Sequence, residues 1–429
     1  MSSDPNPSKA QPGWPPVVVA GIYRTGVNLM RDLARRGVAV TGIDYNPRQM
    51  GFRSVYGRAA LCPNPDTAPS DWLSFMRRLA AKADAKPVFI PTSDAFVSAL
   101  ARHRESLSRD FLFFHDAAAL QEKFATKEEQ YELARANGMF APQTRFARSR
   151  KEVVEFAVGA QFPCLIKPKR TRDWEKPDHP FMNKKVALAS SPDELTAKYD
   201  LIAGIDPEVV VQEIVLGPDT AKLYYLCCYG RDGKKLGASM ARVLRTSPNP
   251  MLFGTSAVSE PAWDAEAVAM CDAFLRRIEY RGLCEIELKR DSRSEKLMFI
   301  EANARYTASG DFAHHAGVDL AWLHYLDLIG QPVTPVTQND RAFRHIDLVQ
   351  DFGGAINYHR AGLLTWREFL WAYRPPVAFF DLDLRDWRLA GETLRRLARL
   401  AAGYVLRSAL RKKPVQPIEI PEDAPHPRR

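Results

Sequence analysis

The stretch Met298–Tyr306, MFIEANARY, decides how the rest of the chain is read. After the apolar Met298–Ile300 it alternates polar and apolar residues from Glu301 to Arg305 as a half-buried strand does, and it sets an acid and an amide two residues apart where the strand runs out. Side chains switch faces at every strand residue, so Phe299, Glu301 and Asn303 are expected on one side, the last two offering oxygens side by side. That pairing suits a hard divalent cation.

Working backwards, GLCEIELKRD (282–291) is a second strand, joined to the first by the turn-like RDSRSEK (290–296). The two are expected to form an antiparallel hairpin. Leu283, Glu285, Glu287 and Lys289 share one face of the first strand, and Leu297, Phe299, Glu301 and Asn303 one face of the second. Matched registers set Glu287 and Glu301 about one cross-strand step apart, roughly 5–8 Å. Two acids that close repel unless a cation lies between them, and Mg²⁺ favours such all-oxygen ligands, Mn²⁺ being an alternative. Further upstream, FPCLIKP (162–168) is a strand ending in Lys167, and VVVQEIVLGPD (209–219) a strand that enters a hinge with Gly217 and Asp219. A strand lysine needs an anionic partner to be buried, and phosphate oxygens supply one.

The 429 residues suffice for two or three domains, and 46% hydrophobic residues suffice for their cores. Apolar runs such as Val17–Ala20 fall far short of the roughly 20 residues that a spanning helix needs. Residues 1–16 are Pro-, Ser- and Asn-rich and lack the charged-then-apolar pattern of a secretion signal, so they are read as a disordered leader. Six cysteines, at 62, 164, 227, 228, 271 and 284, show no CxxC or metal-ligand spacing, which fits reduced, buried thiols of a cytoplasmic protein. The net charge of +9 permits an anionic partner. Nucleotide phosphates account for part of it, and no nucleic-acid partner is indicated.

Near the start, VVVAG, IYRTGVNLMRDLARRG and VAVTGID follow a β-α-β order, with Asp44 ending the second strand. Only Gly21 and Gly26 are present, so the GxGxxG needed for close pyrophosphate approach is missing and a structural half-domain is expected. PVFIPTSDAFVSAL (87–100) brings Thr92, Ser93 and Asp94 to a strand end, where they either line a ligand crevice or cap the next helix. In TKEEQYELARANG (126–138), Thr126 is the expected N-cap, Glu129 the capping-box acid and Gly138 the terminator. The expected organisation is a leader (1–16), an α/β half-domain (17–120), a central domain of two subdomains (121–335), a helix-rich extension (336–412) and a disordered tail (413–429).

The ordered set Lys127, Lys167, QEIVLGPD, Glu287 and EANAR resembles the ATP-grasp superfamily, with IPTSD and the N-terminal β-α-β resembling its preceding half-domain. Its carboxylate-amine ligase branch, including D-aspartate-ligase-like proteins and uncharacterised predicted ATP-dependent ligases, is the nearest pattern. The resemblance covers roughly residues 17–332. It implies an α/β chain, α+β in the ATP domain, with ATP-grasp architecture, a Rossmann-like N-terminal half-domain and a helical C-terminal extension. It also implies ATP and Mg²⁺ as cofactors and a small-molecule carboxylate and amine as substrates. Lys127 and Lys167 would neutralise the α- and β-phosphates; Gln212 and the backbone at Glu213 and Val215 would meet the adenine edge; Asp219 would accept from the ribose. Glu287, Glu301 and Asn303 would hold the metal, and Arg305 would reach the transferred phosphoryl group or the substrate carboxylate.

SMARVLRTSPNPMLFGTSA (239–257) fits a strand and loop over the γ-phosphate, with Arg242 and then Arg245 as the basic groups; exposed strand arginines also serve solubility alone. Many relatives follow the strand lysine with a glycine-rich loop, whereas here PKRTRDWEKPDHPFMNKK offers Lys169, Arg170, Arg172, Lys184 and Lys185 and no glycine. His314 and His315 are read as structural rather than catalytic. In residues 385–414, Leu389, Leu394, Leu397, Ala401, Val405 and Ala409 are spaced as an apolar stripe amid arginines. The stripe is expected to pack on the ATP domain or on a second subunit of a homo-oligomer, with peripheral contact to an anionic membrane surface as the alternative.

Overall fold

Short β-branched runs followed by helices build the first layer. The computed structural model describes residues 13–114, 120, 123–124, 127–168, 179–181, 186–248, 254–360 and 362–409. Strands β1 (Val17–Ala20), β2 (Val40–Asp44), β3 (Arg58–Leu61) and β4 (Val88–Pro91) form a parallel sheet in the order β3-β2-β1-β4. The glycines of its first turn serve packing. A Cβ on Gly26 would stand 2.0 Å from the Gly21 carbonyl oxygen, and the Thr92 hydroxyl bonds that same carbonyl from above. Asp44 accepts the amides of Ile22 and Asn46 at 3.0 and 2.9 Å. The turn is thus closed by its own chain, in line with the missing fingerprint.

A small antiparallel sheet follows, of β5 (Thr144–Ala147), β6 (Cys164–Pro168), β7 (Ala187–Ala189) and β8 (Val209–Glu213) in the order β5-β8-β6-β7. Alternation divides its faces. Cys164, Ile166, Val209 and Val211 join Val153, Phe156, Leu195 and Tyr199 of two helices in a core, whereas Leu165, Lys167 and Gln212 face the opposite side. Those helices, Arg150–Gly159 and Pro192–Asp200, begin at Ser149 and Ser191, whose hydroxyls accept the amides of the third helical residues, Glu152 and Glu194.

The largest sheet contains β9 (Lys222–Tyr229), β10 (Lys235–Pro248), β11 (Gly254–Pro261), β12 (Gly282–Arg290), β13 (Leu297–Asn303), β14 (Val336–Thr337), β15 (Arg344–Ile346) and β16 (Val377–Phe379). Its order is β13-β12-β9-β10-β11-β15-β16, with β14 beside β10. One face packs on the helix Ala265–Arg277 through Tyr225, Cys227, Met240, Cys284, Ile286 and Leu288. On the other, Tyr224, Leu226, Cys228 and Leu283 share a core with Val17, Leu29 and Leu33 of the first layer. That core welds the N-terminal half-domain to the central sheet. All six cysteines are buried and unpaired.

The extension carries the helices expected of it and adds strands to them. β15 and β16 prolong the central sheet, and the helix Leu348–Arg360 lies against β10. The stripe on the last helix, Trp387–Ala409, is not the one expected. Leu389, Ala390 and Thr393 are buried, but Leu394 and Val405 are 53% and 64% exposed. Helix geometry explains this, because at 3.6 residues per turn Leu394 points roughly 140° away from Leu389. Among the described residues no helix is long and apolar enough to cross a membrane. Of the expected leader (1–16), residues 1–12 lie outside the described residues, whereas Trp14 stacks on Trp322 at 4.9 Å and the Pro15 carbonyl accepts from Tyr325 at 2.7 Å; the expected tail (413–429) lies wholly outside them.

Candidate active site

The hairpin that anchored the sequence reading forms, with Glu287 directly opposite Glu301 and Glu285 opposite Asn303. One expected detail is overturned. The pairing slips between Glu287 and Leu288, whose partner is Phe299, so Ile300 is an extra residue in β13. An inserted residue reverses the alternation beyond it. Leu297 and Phe299 are core on one side of the bulge and Ala302 and Ala304 on the other, while Glu301 and Asn303 face the opposite way from Phe299. The acid and amide reach the cleft because of this bulge. Without it, a strand with Phe299 in the core would bury Glu301 as well.

The bulge disturbs the backbone at a sheet edge, and the helix Lys127–Ala136 satisfies what it disturbs. Tyr131 donates its hydroxyl to the Ile300 carbonyl at 2.9 Å, and Gln130 accepts the Ala302 amide at 3.0 Å. The same helix begins with Lys127, whose Nζ is 2.7 Å from Glu301 Oε2. Burial opposes the Lys127 charge, but Glu301, Tyr131 and Glu287 together outweigh it and raise the lysine above its usual range. Thr126, the expected cap, lies outside the described residues.

Lys127, Lys167, Lys222, Lys289, Gln212, Glu213, Val215, Glu287 and Glu301 line one cavity of about 270 Å³ between the small and large sheets. Lys167 Nζ lies 3.3 Å from Gln212 Oε1, which in turn donates through Nε2 to Thr144 at 2.9 Å. Burial, aided by the charge of Lys127, pushes Lys167 down to about 8. Burial and the neighbouring Lys222 likewise push Lys289 down to about 8. The cleft is therefore a place where an added anion restores two suppressed charges. In the hinge, the Glu213 amide donates to Gln143 and that of Ile214 to Pro163, while Arg293 donates to the Ile214 carbonyl at 2.8 Å. Among the described residues no partner takes the Val215 amide. The Glu213 carboxylate accepts the amides of Gln161 and Gln143 at 2.7 and 3.1 Å, so its side chain ties loops together.

Burial, with Glu301 beside it, pushes the Glu287 carboxyl up to about 8. This pair is short of positive charge even with Lys127 alongside, which fits a cation between the two acids. Asn303 is held on both ends: it donates to Glu285 at 3.3 Å and accepts from Arg305 at 3.1 Å. Among the described residues no group of three or more His, Cys, Asp or Glu comes together to hold a metal. The fitting donor set is two carboxylates and one amide oxygen, all hard ligands.

Beyond Glu287 and Asn303 opens a second cavity of about 320 Å³, walled by Arg24 of the N-terminal half-domain, Glu285 and Arg305 of the centre, and His345, Asp347 and Phe380 of the extension. Arg305 stands at its mouth, bonded to Asp94 at 2.7 Å. The IPTSD segment thus reaches the site through Asp94.

Three expected residues sit elsewhere. Arg242 projects from the face of β10 that carries Met240, is exposed, and approaches Glu260 at 3.9 Å. Ala241, its neighbour, is the residue that lines the second cavity. Arg245 is buried and makes two 2.8 Å bonds to Asp351 of the helix Leu348–Arg360. Asp219 is only 5% exposed and accepts from Thr246 at 3.1 Å and from Tyr358. Both Arg245 and Asp219 fasten the extension to the central sheet. We expect Arg242→Ala to leave nucleotide affinity within about twofold by calorimetry, as for a surface residue; a tenfold loss would return it to the site. His314 bonds Asp319 and His315 is pushed down to about 4 by burial, so neither is a poised base. The basic loop residues Lys169, Arg170, Arg172, Lys184 and Lys185 lie outside the described residues.

Glu285, Lys222 and Lys289 were not singled out from sequence. Period-two spacing from Glu287 already marked Glu285 and Lys289 as its face-mates; Lys222 carried no such signal.

A cleft between a small antiparallel sheet and a larger, mostly antiparallel one, lined by lysines and a carboxylate hairpin, is the ATP-grasp fold, and this chain has it. No protein-family model matches the chain. Among curated proteins, it is 24% identical over 245 residues to the D-aspartate ligase of Enterococcus faecium (strain Aus0004), covering 55% of this chain and 57% of that enzyme. The match therefore spans little more than half of the relative's length. Among solved structures, the N5-carboxyaminoimidazole synthetase of Staphylococcus aureus complexed with ADP superposes with a TM-score of 0.58 at 15% identity, covering 78% of this chain and 82% of that one. The L-amino acid ligase of Bacillus licheniformis does so with a TM-score of 0.52 at 14% identity, covering 73% and 74%.

Proposed function

We propose that the protein is an ATP-dependent ligase that joins the carboxylate of a small acid, an amino acid in the first instance, to an amine through an acyl phosphate. The observation that carries this reading is the Glu287–Glu301 pair facing lysines across one cleft, with a separate cavity opening beyond it. Lys167 and Lys127 neutralise the triphosphate, and the Val215 amide meets the adenine edge. Glu287, Glu301 and Asn303 would hold Mg²⁺, or Mn²⁺, which supplies charge neutralisation between the outer phosphates. Arg305 orients the acid at the boundary of the two cavities. The carboxylate oxygen attacks the γ-phosphorus in line, ADP leaves, and the amine then displaces phosphate from the acyl carbon. Positioning and electrostatics suffice for this chemistry, and the six buried thiols take no part. The name of the curated relative makes D-aspartate the first acid to try.

The test is release of ADP and phosphate by the purified protein with ATP, Mg²⁺ and a panel of D- and L-amino acids plus amines. Release that requires both an acid and an amine is expected. Uptake of ATP with no turnover on any pair would leave a binding module instead.

Lys167 provides a second check. Its pKa of about 8 in the free protein rises when a polyphosphate settles beside it. Binding ATP at pH 8 in chelator, where Glu287 keeps its proton, should therefore take up about half a proton at Lys167 and up to as much again at Lys289, falling towards zero below pH 7 where both lysines are already charged. Calorimetry in two buffers of different ionisation enthalpy reads this directly, and Lys167→Met should remove its half of the uptake and weaken binding by roughly tenfold or more. Equal heats in both buffers would contradict the assignment.

A further inference from the structure

The second cavity contains a side chain for which the scheme above has no task. His345, in the middle of β15, lines it although the residue is only 8% exposed. Its Nε2 lies 2.8 Å from Oδ2 of Asp311. Asp311 is 1% exposed, and its other oxygen is gripped by Arg31 from the N-terminal half-domain. Burial opposes the Asp311 charge, but Arg31 and His345 outweigh it and hold the carboxyl well below its usual range. A carboxylate only accepts, so in the neutral ring Nε2 carries the hydrogen and donates it, leaving the lone pair on Nδ1. Among the described residues Nδ1 has no hydrogen-bond partner. Phe312 and Phe380 stand edge-on to the ring, at 5.8 and 6.1 Å between centroids, and fix its plane. The other titratable neighbours are His315, 6.2 Å away between ring centroids, and the Arg24–Asp347 pair on the same cavity wall.

We propose that His345, oriented by Asp311, is the base that takes the proton from the attacking amine; this rests on the ligase reading above. The amine nitrogen donates its lone pair to the acyl carbon, and as the C–N bond forms one N–H proton passes to His345 Nδ1. The C–O bond to the phosphoryl group breaks, and phosphate leaves with that electron pair. Amide and phosphate result, with the proton then lost from the imidazolium to water. A buried carboxylate holding one ring nitrogen so that the other accepts a proton is a recurrent arrangement for general bases, worth about 10²- to 10⁴-fold in rate.

Hydroxylamine is uncharged near neutral pH and attacks acyl phosphates without a base, whereas methylamine is present as its cation and must lose one proton to free its lone pair and a second as the C–N bond forms. Wild-type protein is therefore given ATP, Mg²⁺ and a mixture of D- and L-amino acids, with either hydroxylamine or methylamine. His345→Gln keeps an amide nitrogen able to donate to Asp311. It is expected to make hydroxamate within about threefold of wild type and to lose at least a hundredfold in methylamide. Equal loss of both products, or loss of neither, overturns the proposal. Wild-type protein that makes no hydroxamate from any acid sinks the ligase reading first, and this inference with it. Where methylamine is not turned over or the variant does not fold, ¹⁵N spectra of the wild-type histidines decide. A bare Nδ1 and protonated Nε2 at His345 support the proposal, and the opposite tautomer overturns it.

Discussion

Replacing Glu287 by Gln is expected to cut ATP turnover by two to three orders of magnitude and, in the same protein, to raise the stability of the metal-free form. On the proposed mechanism, the activity loss follows from removing one of the two carboxylates that would hold the metal, where electrostatic stabilisation of the transferring phosphoryl group would be the main source of rate. The stability gain follows from the same carboxylate being a burden when no cation is present. Burial and the facing Glu301 push its carboxyl up to about 8, so at pH 7 ionising it works against the fold. A neutral amide of the same shape removes that repulsion. We expect about 2 kcal/mol, less than the shift would sum to at about 1.4 kcal/mol per pH unit, because water reaches the half-buried side chain and screens it. Chemical denaturation in chelator measures the gain, and single-turnover kinetics measures the loss. A variant that loses stability together with activity would mean that Glu287 is a structural acid.

The second large effect concerns a residue that sequence placed over the γ-phosphate. Arg245→Met is expected to destabilise the protein by about 3–5 kcal/mol, because it strands the buried Asp351 carboxylate without its bidentate partner. The Tyr373 hydroxyl, 2.8 Å from Asp351 Oδ2, softens this only in part. The variant's folded fraction should keep the wild-type affinity for ATP. The double variant Arg245→Met with Asp351→Leu should recover most of the lost stability, since an apolar pair replaces an ion pair of this kind at little cost. Retained stability in Arg245→Met with a collapse in ATP affinity would move the arginine back to the cleft.

These two residues show where the sequence was readable. The hairpin pairing of Glu287 with Glu301 follows from strand alternation and a short turn, both local, and so it was legible. The strand lysine was legible because a buried ammonium demands an anion. The bulge at Ile300 was missed because Met298–Ile300 is apolar throughout, so the run does not say which of its residues faces the core; the three-residue gap between core residues Phe299 and Ala302 was the available clue. Asp219, Arg245 and His345 depend on contacts with partners 139, 106 and 34 residues away, and no local pattern encodes those. Arg242 failed for a simpler reason, since its place on the strand put it on the wrong face, and only the registers of β9 and β11 settle which face that is.

The cavity beyond the carboxylates is assembled from three distant stretches of chain, around Arg24, Arg305 and His345. On the proposed reading, the lysines that meet the triphosphate line the other cavity, and Glu287 borders both. Choice of acceptor and grip on the triphosphate would then rest largely on separate walls that meet at the carboxylates. A change of specificity could be written into the extension or the first βα turn while the lysine-lined cleft stays as it is.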